Sequence, residues 1–145
     1  MSNIFDLGGK VAIVTGANTG IGQAIALSLA AAGADIAAVG RTPAEETVEK
    51  VRALGRKAEI VSADLSSIGP VQRVVDETIA KLGGLDILIN NAGIIRRADS
   101  VDFTEEDWDA VIDTNLKSTF FLAQAAGRHM LAQGSGKIVN IASLL

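Results

Sequence analysis

Apolar residues along the chain fall into two rhythms. Short, nearly unbroken apolar runs of strand length recur at residues 10–15 (KVAIVT), 35–40 (DIAAVG), 58–63 (AEIVSA), 85–90 (LDILIN) and 137–142 (KIVNIA). Between them, GQAIALSLAAAG, PAEETVEKVRALG, GPVQRVVDETIAKLG and the long stretch 104–133 space apolar residues three and four apart, the period of a helix. Gly33, Gly55 and Gly83 stand where helices stop, and Pro43 suits the first turn of the second helix. Thr104 followed by Glu105, Glu106 and Asp107 reads as an N-cap with acids at the positive end of the helix dipole.

Strand and helix in strict alternation imply parallel strands joined by right-handed crossovers. The expected fold is an α/β doubly wound parallel sheet with strand order 3-2-1-4-5. Its ligand crevice should open at the carboxyl ends of strands 1 and 4, where the winding direction reverses. No linker or repeat interrupts the pattern, so residues 1–145 read as one domain. Hydrophobic residues make up 48% and aromatics only 3%, which leaves Ala, Ile, Leu and Val to build the core. That diet suits a parallel sheet covered on both faces.

Charge and cysteine content narrow the function. A net charge of -4 provides no electrostatic footprint for nucleic acid. No cysteine is present, which excludes a disulfide framework and any thiolate metal site, and no metal is expected. The start, MSNIFDLGGK, lacks the basic and apolar segments of a signal peptide, and AIALSLAAAG is too short to span a bilayer. The reading is a cytoplasmic protein with no membrane partner.

The most specific local signal is KVAIVTGANTGIGQAIA. Gly16, Gly20 and Gly22 follow a strand and open a helix, with Asn18, Thr19 and Ile21 completing the turn. Absent side chains let the backbone turn tightly, let a pyrophosphate approach main-chain N–H groups, and let helix pack on strand. A tight turn with no ligand is the competing explanation. Three residues, not one, separate the first two glycines, and this T-G-x-x-x-G-x-G pattern resembles the short-chain dehydrogenase/reductase family. NNAG at 90–93, DTNL at 113–116 and IVNIAS at 138–143 resemble that family's later motifs, in order and across essentially the whole chain. The stretch from GIIRR onward is similar to the branch acting on keto-deoxy sugar acids such as 2-deoxy-D-gluconate.

The resemblance implies a Rossmann-like sheet and hydride transfer between NAD(P) and a secondary alcohol or ketone. It assigns Ser143 to the reacting oxygen and Asn115 to a proton relay; Ser143 alone would read as a turn or cap residue, and Asn115 as a back-bonded helix residue. Asn91, Ala92 and Gly93 should wall the adenosine ribose and nicotinamide, or simply end a strand. Asp64 should accept from the adenine amino group beside a main-chain contact from Leu65, or else start the next helix together with Ser66. Gly40 leaves no acid at the end of strand 2 and Arg41 follows it, which leans toward the 2′-phosphate of NADP, although the resembled branch leans toward NAD. Arg96 and Arg97 could fork a substrate carboxylate or form a solvated basic loop. His129 reads as a surface or helix-end residue, and Trp108 and Met130 as packing residues.

The family's proton-donating tyrosine and its lysine partner find no match, and the chain contains no tyrosine at all. The family continues with those residues, another helix and two more strands, so this chain is expected to be the N-terminal part of a longer protein. Stopping at strand 5 would leave an apolar sheet edge bare. The helix around NLKSTFFLAQAAGRHML is apolar on several faces, and the resemblance implies a homo-oligomer, dimer or tetramer. Two other classes compete: a dinucleotide-binding module without catalysis, and a methyltransferase on a similar sheet, which would leave NNAG, Asn115 and Ser143 together unexplained.

Overall fold

The computed structural model describes residues 3–143. Five strands, β1 (Val11–Thr15), β2 (Asp35–Gly40), β3 (Ala58–Ser62), β4 (Ile87–Asn90) and β5 (Lys137–Asn140), form one sheet in the order β3-β2-β1-β4-β5. Every pairing is parallel, from Val11 opposite Asp35 to Asn90 opposite Asn140. The doubly wound fold and its strand order are therefore those expected from the apolar rhythm.

Side chains of a strand alternate between faces, and in β1, β2 and β4 both faces are buried. Val11 and Ile13 join Val39, Leu88 and residues of α3 (Val71–Leu82) and α5 (Ser118–Gln133) in one cluster. Ala12 and Val14 join Ile36, Ala38, Ile87 and Ile89 in the other, under α1 (Gly20–Ala31) and α2 (Glu45–Ala53). Gly22, Ala26 and Ala30 form the buried stripe of α1. Their small size lets that helix lie close to the sheet.

Three details differ from the sequence pattern. Pro43 lies ahead of α2, whose N-cap is Ala44, because a proline can also set the turn that precedes a helix. The strands are trimmed by up to two residues at their ends, where pairing runs out. The stretch 104–133 is not uniform: after a short 3₁₀ turn (Ser100–Asp102) come α4 (Glu105–Ile112), a π turn (Asp113–Lys117) and then α5. The expected cap is present, with Thr104 Oγ1 accepting from the Asp107 N–H at 3.1 Å.

Among the described residues β5 pairs with β4 alone, and Ile138 and Val139 along it and Ile141 just past it are exposed. On α5, Leu122, Ala125, Ala126 and Met130 face the core, while Phe120 and Leu131 face outward, as does Leu116 of the π turn. No helix among the described residues is long and apolar enough to cross a membrane.

At the amino end of β2, away from the crevice, buried Asp35 accepts from Arg56 Nη2 at 2.7 Å, Arg56 Nε at 3.1 Å and the Lys57 N–H at 2.9 Å. Replacing Asp35 with Ala strands these donors in a half-buried setting. Urea unfolding should show a loss of about 2 kcal/mol, with ligand affinity at the far end of the sheet unchanged; an unchanged midpoint would remove Asp35 from the framework.

Candidate functional site

The site begins where β1 ends. Thr15 is 1% exposed, and its Oγ1 accepts from the Asn91 N–H at 2.9 Å and the Ala92 N–H at 2.8 Å, while donating to the Ile89 carbonyl at 3.4 Å. One hydroxyl thus fixes the loop leaving β4 against the turn leaving β1. Asn91 reinforces the junction, its Nδ2 donating to the carbonyls of Thr15 at 3.1 Å and Gly16 at 3.4 Å. Thr15 was not singled out from sequence, although it is the threonine of the glycine motif.

The three glycines serve different ends. Gly16 and Gly20 both have positive φ, 65° and 57°, which an L side chain resists. A Cβ on Gly20 would meet nothing within 4 Å, so that face of the turn is open. A Cβ on Gly22 would instead overlap the Gly16 carbonyl and come within 2.6 Å of Asn91 Nδ2. Gly22 is therefore required by close packing of the chain on itself, before any ligand arrives. Thr19 begins α1 without a side-chain cap, so the first-turn N–H groups of Gly20, Ile21 and Gly22 are not taken by it.

Beside this turn lies a crevice of about 310 Å³. It gathers Gly16, Asn18, Arg41, Asp64, Leu65, Ala92, Gly93 and Arg96 from among the expected residues. Thr19, Gly20, Ile21, Gly22, Asn91, Asn115 and Ser143 are not part of its lining. Thr42, Ala63, Ser66, Ile94, Ala110 and Thr114 line it without having been expected, as does Gly40, weighed earlier only for cofactor choice. Thr114 stands inside the DTNL motif and Ile94 inside GIIRR; Thr42, Ala63 and Ala110 carry no signal of their own and become neighbours only through the fold.

Asp64 neither caps a helix nor starts one, since α3 begins seven residues later at Val71. Its Oδ1 accepts from the Ser66 N–H at 2.9 Å, an Asx-type turn that shapes the crevice wall. That bond, a side-chain bond from Ser66 and the Arg41 charge hold its carboxyl below the usual range, although partial burial opposes them. Asp64 is therefore an ionised acceptor at neutral pH, in a crevice that it shares with the Arg41 cation.

Asn115 sits in the π turn, a distortion common at functional sites. Its carboxamide meets the main chain of Ile94 twice, Oδ1 accepting from the N–H and Nδ2 donating to the carbonyl, each at 2.8 Å. The bond runs across to another loop, not back along its own helix. Arg96 turns toward α4, with Nε 3.3 Å from Asp107 Oδ1 and Nη1 donating to Ile95 O at 3.0 Å. Ser143 follows β5 by three residues, as Gly93 follows β4, and Asn90 pairs with Asn140; both therefore leave the same edge of the sheet. Two buried hydroxyls on helices also reach the crevice loops from behind. Thr47 donates to Ala17 O at 2.6 Å, and Ser118 donates to Leu65 O at 2.6 Å. Neither residue stands out in the sequence.

The model of the family described as short chain dehydrogenase matches residues 10–145. The chain belongs to the short-chain dehydrogenase family. A curated family member, 2-dehydro-3-deoxy-D-gluconate 5-dehydrogenase of Escherichia coli (strain K12), is 51% identical over 142 residues, 97% of this chain and 56% of its own length. Among short-chain dehydrogenases of known structure, one from Agrobacterium tumefaciens, provisionally named a 2-deoxy-D-gluconate 3-dehydrogenase, has NADP bound. It superposes with a TM-score of 0.89 at 49% identity, covering 99% of this chain and 56% of that one. A short chain dehydrogenase from Burkholderia cenocepacia J2315 in complex with NADP has a TM-score of 0.86 at 40% identity, covering 95% and 57%. The chain spans little more than half the length of the relatives that it matches.

The glycines provide a test. Gly20→Ala strains only the backbone and should cost about 1–2 kcal/mol. Gly22→Ala forces α1 away from the Gly16 carbonyl, and should destabilise more than that in urea unfolding without any ligand. Equal losses would place Gly22 outside the packed junction.

Proposed function

We propose that this chain forms the dinucleotide-binding part of an NAD(P)-dependent oxidoreductase. The reaction interconverts a secondary alcohol and a ketone on a deoxy or keto-deoxy sugar acid. The observation that carries the reading is the open face of the turn at Gly20, set at the start of α1 beside a crevice lined from β1, β2, β3 and β4. The residues present suit such a ligand: N–H groups at a helix start favour a pyrophosphate, and an ionised Asp64 is an acceptor for an adenine amino group.

In this reading Arg41 faces the adenosine ribose, with Gly40 in place of an acid. That supports NADP over NAD, as do the two similar structures that hold NADP. Leu65 lends a main-chain contact, and Asn91, Ala92 and Gly93 form the wall toward the nicotinamide. When bound, the dinucleotide supplies the hydride chemistry. Ser143 donates a hydrogen bond to the reacting oxygen. Asn115, its amide committed to Ile94, serves by holding the β4 loop in place. Arg96 is the candidate for a substrate carboxylate, for which it would exchange Asp107. The names of the similar proteins support a gluconate-type sugar acid as substrate. Leu116 and Phe120, exposed along one helical run, support a homo-oligomer.

Two outcomes are expected. Arg41→Ala removes a charge-assisted contact and should weaken NADP roughly tenfold or more while barely changing NAD, by fluorescence titration. Equal losses for both cofactors would defeat the preference for NADP. These 145 residues should also bind cofactor without sustained turnover of keto-deoxy sugar acids. A serine hydroxyl is a poor proton donor at neutral pH, the chain has no tyrosine, and acid–base assistance is worth about 10²–10⁴-fold. Steady turnover that vanishes in Ser143→Ala would overturn this.

A further inference from the structure

Ser118 opens α5 directly after the π turn and is only 2% exposed. A buried serine in a helix ordinarily bonds a carbonyl one turn back along its own helix. Ser118 Oγ instead crosses to the loop after β3, donating to the Leu65 carbonyl at 2.6 Å with Ser67 O at 3.3 Å. The direction is not in doubt, since a carbonyl can only accept.

The position of this bond matters more than its strength. Leu65 and Ser66 line the crevice from the β3 loop, and Ala110 and Thr114 line it from the helical run that Ser118 continues. Ser118 itself lines no part of it. Thr114 and Ser118 are four residues apart and both buried, so they share one side of that run. The hydroxyl therefore joins two walls of the crevice from behind.

We propose that Ser118 is a positioning residue that sets the placement of the Leu65 wall, and through it the affinity for the adenine-nucleotide half of the ligand. The inference rests on the dinucleotide reading above. Without the hydroxyl, the Leu65 carbonyl is left as a buried acceptor lacking its donor, and the loop must shift to find water. Such a shift changes the wall that carries Asp64 and Leu65. It leaves the glycine turn untouched, because that turn is held by Thr15, Asn91 and Thr47.

The test compares two probes, 2′,5′-ADP and NADP, by calorimetric titration of the wild-type chain, Ser118→Ala and Ser118→Cys. Ser118→Ala should weaken both probes by the same factor, roughly fivefold to tenfold, because both carry the adenine nucleotide. Ser118→Cys nearly conserves volume but has only a weak S–H donor, and should show the same loss to a smaller degree. It decides the matter if the alanine variant does not fold. A loss much larger for NADP than for 2′,5′-ADP would indicate general damage and overturn the proposal, as would unchanged affinity in either folded variant. Failure of the wild-type chain to bind either probe would instead overturn the dinucleotide reading itself.

Discussion

The junction at Thr15 is the constraint on which the rest depends. At the carboxyl end of β1 the chain must turn away to one side of the sheet, while β4 delivers its own loop from the other. A gap opens there because the neighbouring connections leave in opposite directions. Thr15 Oγ1 spans that divergence, accepting from two successive N–H groups of the β4 loop. These N–H groups lie beyond the last ladder pair and would otherwise lack partners in a half-buried place. The crevice has a defined shape because its two rims share one hydroxyl.

Around that junction the walls are held by polar side chains that do not line the crevice. Asn91 ties the β4 loop to the turn after β1, Asn115 clasps Ile94, Thr47 reaches Ala17 and Ser118 reaches Leu65. Three of the crevice's loops, those after β1, β3 and β4, are thus fixed through main-chain atoms. Main-chain positions then become as definite as side-chain positions, a useful property when the expected ligand is recognised largely by backbone N–H groups. The π turn belongs to the same scheme. By widening one turn between α4 and α5 it lets Asn115 bond Ile94 and, three residues later, Ser118 bond Leu65.

Arg96 and Asp64 show how location fails to determine use. Both stand in the crevice as their loops predicted, yet each is already engaged, Arg96 with Asp107 and Asp64 with Ser66. For Asp64 the engagement helps, because it keeps the carboxylate charged. For Arg96 it competes, because any anionic substrate must displace a carboxylate already beside the guanidinium.

The sequence by itself determined the architecture. Strand-length apolar runs alternating with helical periods leave parallel pairing and a reversal between strands 1 and 4 as the economical solution, and the observed sheet has that order. The glycine turn was equally legible, since its residues are contiguous and their chemistry is local. Tertiary structure decided the rest, for a physical reason that recurs at each site. Thr15 with Ala92, Asn115 with Ile94, Thr47 with Ala17 and Ser118 with Leu65 are each separated by twenty or more positions. A buried hydroxyl or amide reveals nothing locally about which distant carbonyl or N–H it will meet. Only when strand order brings the loops together is the partner chosen, and with it the use of Gly22 for packing, of Asp64 for a turn and of Asn115 for a clasp.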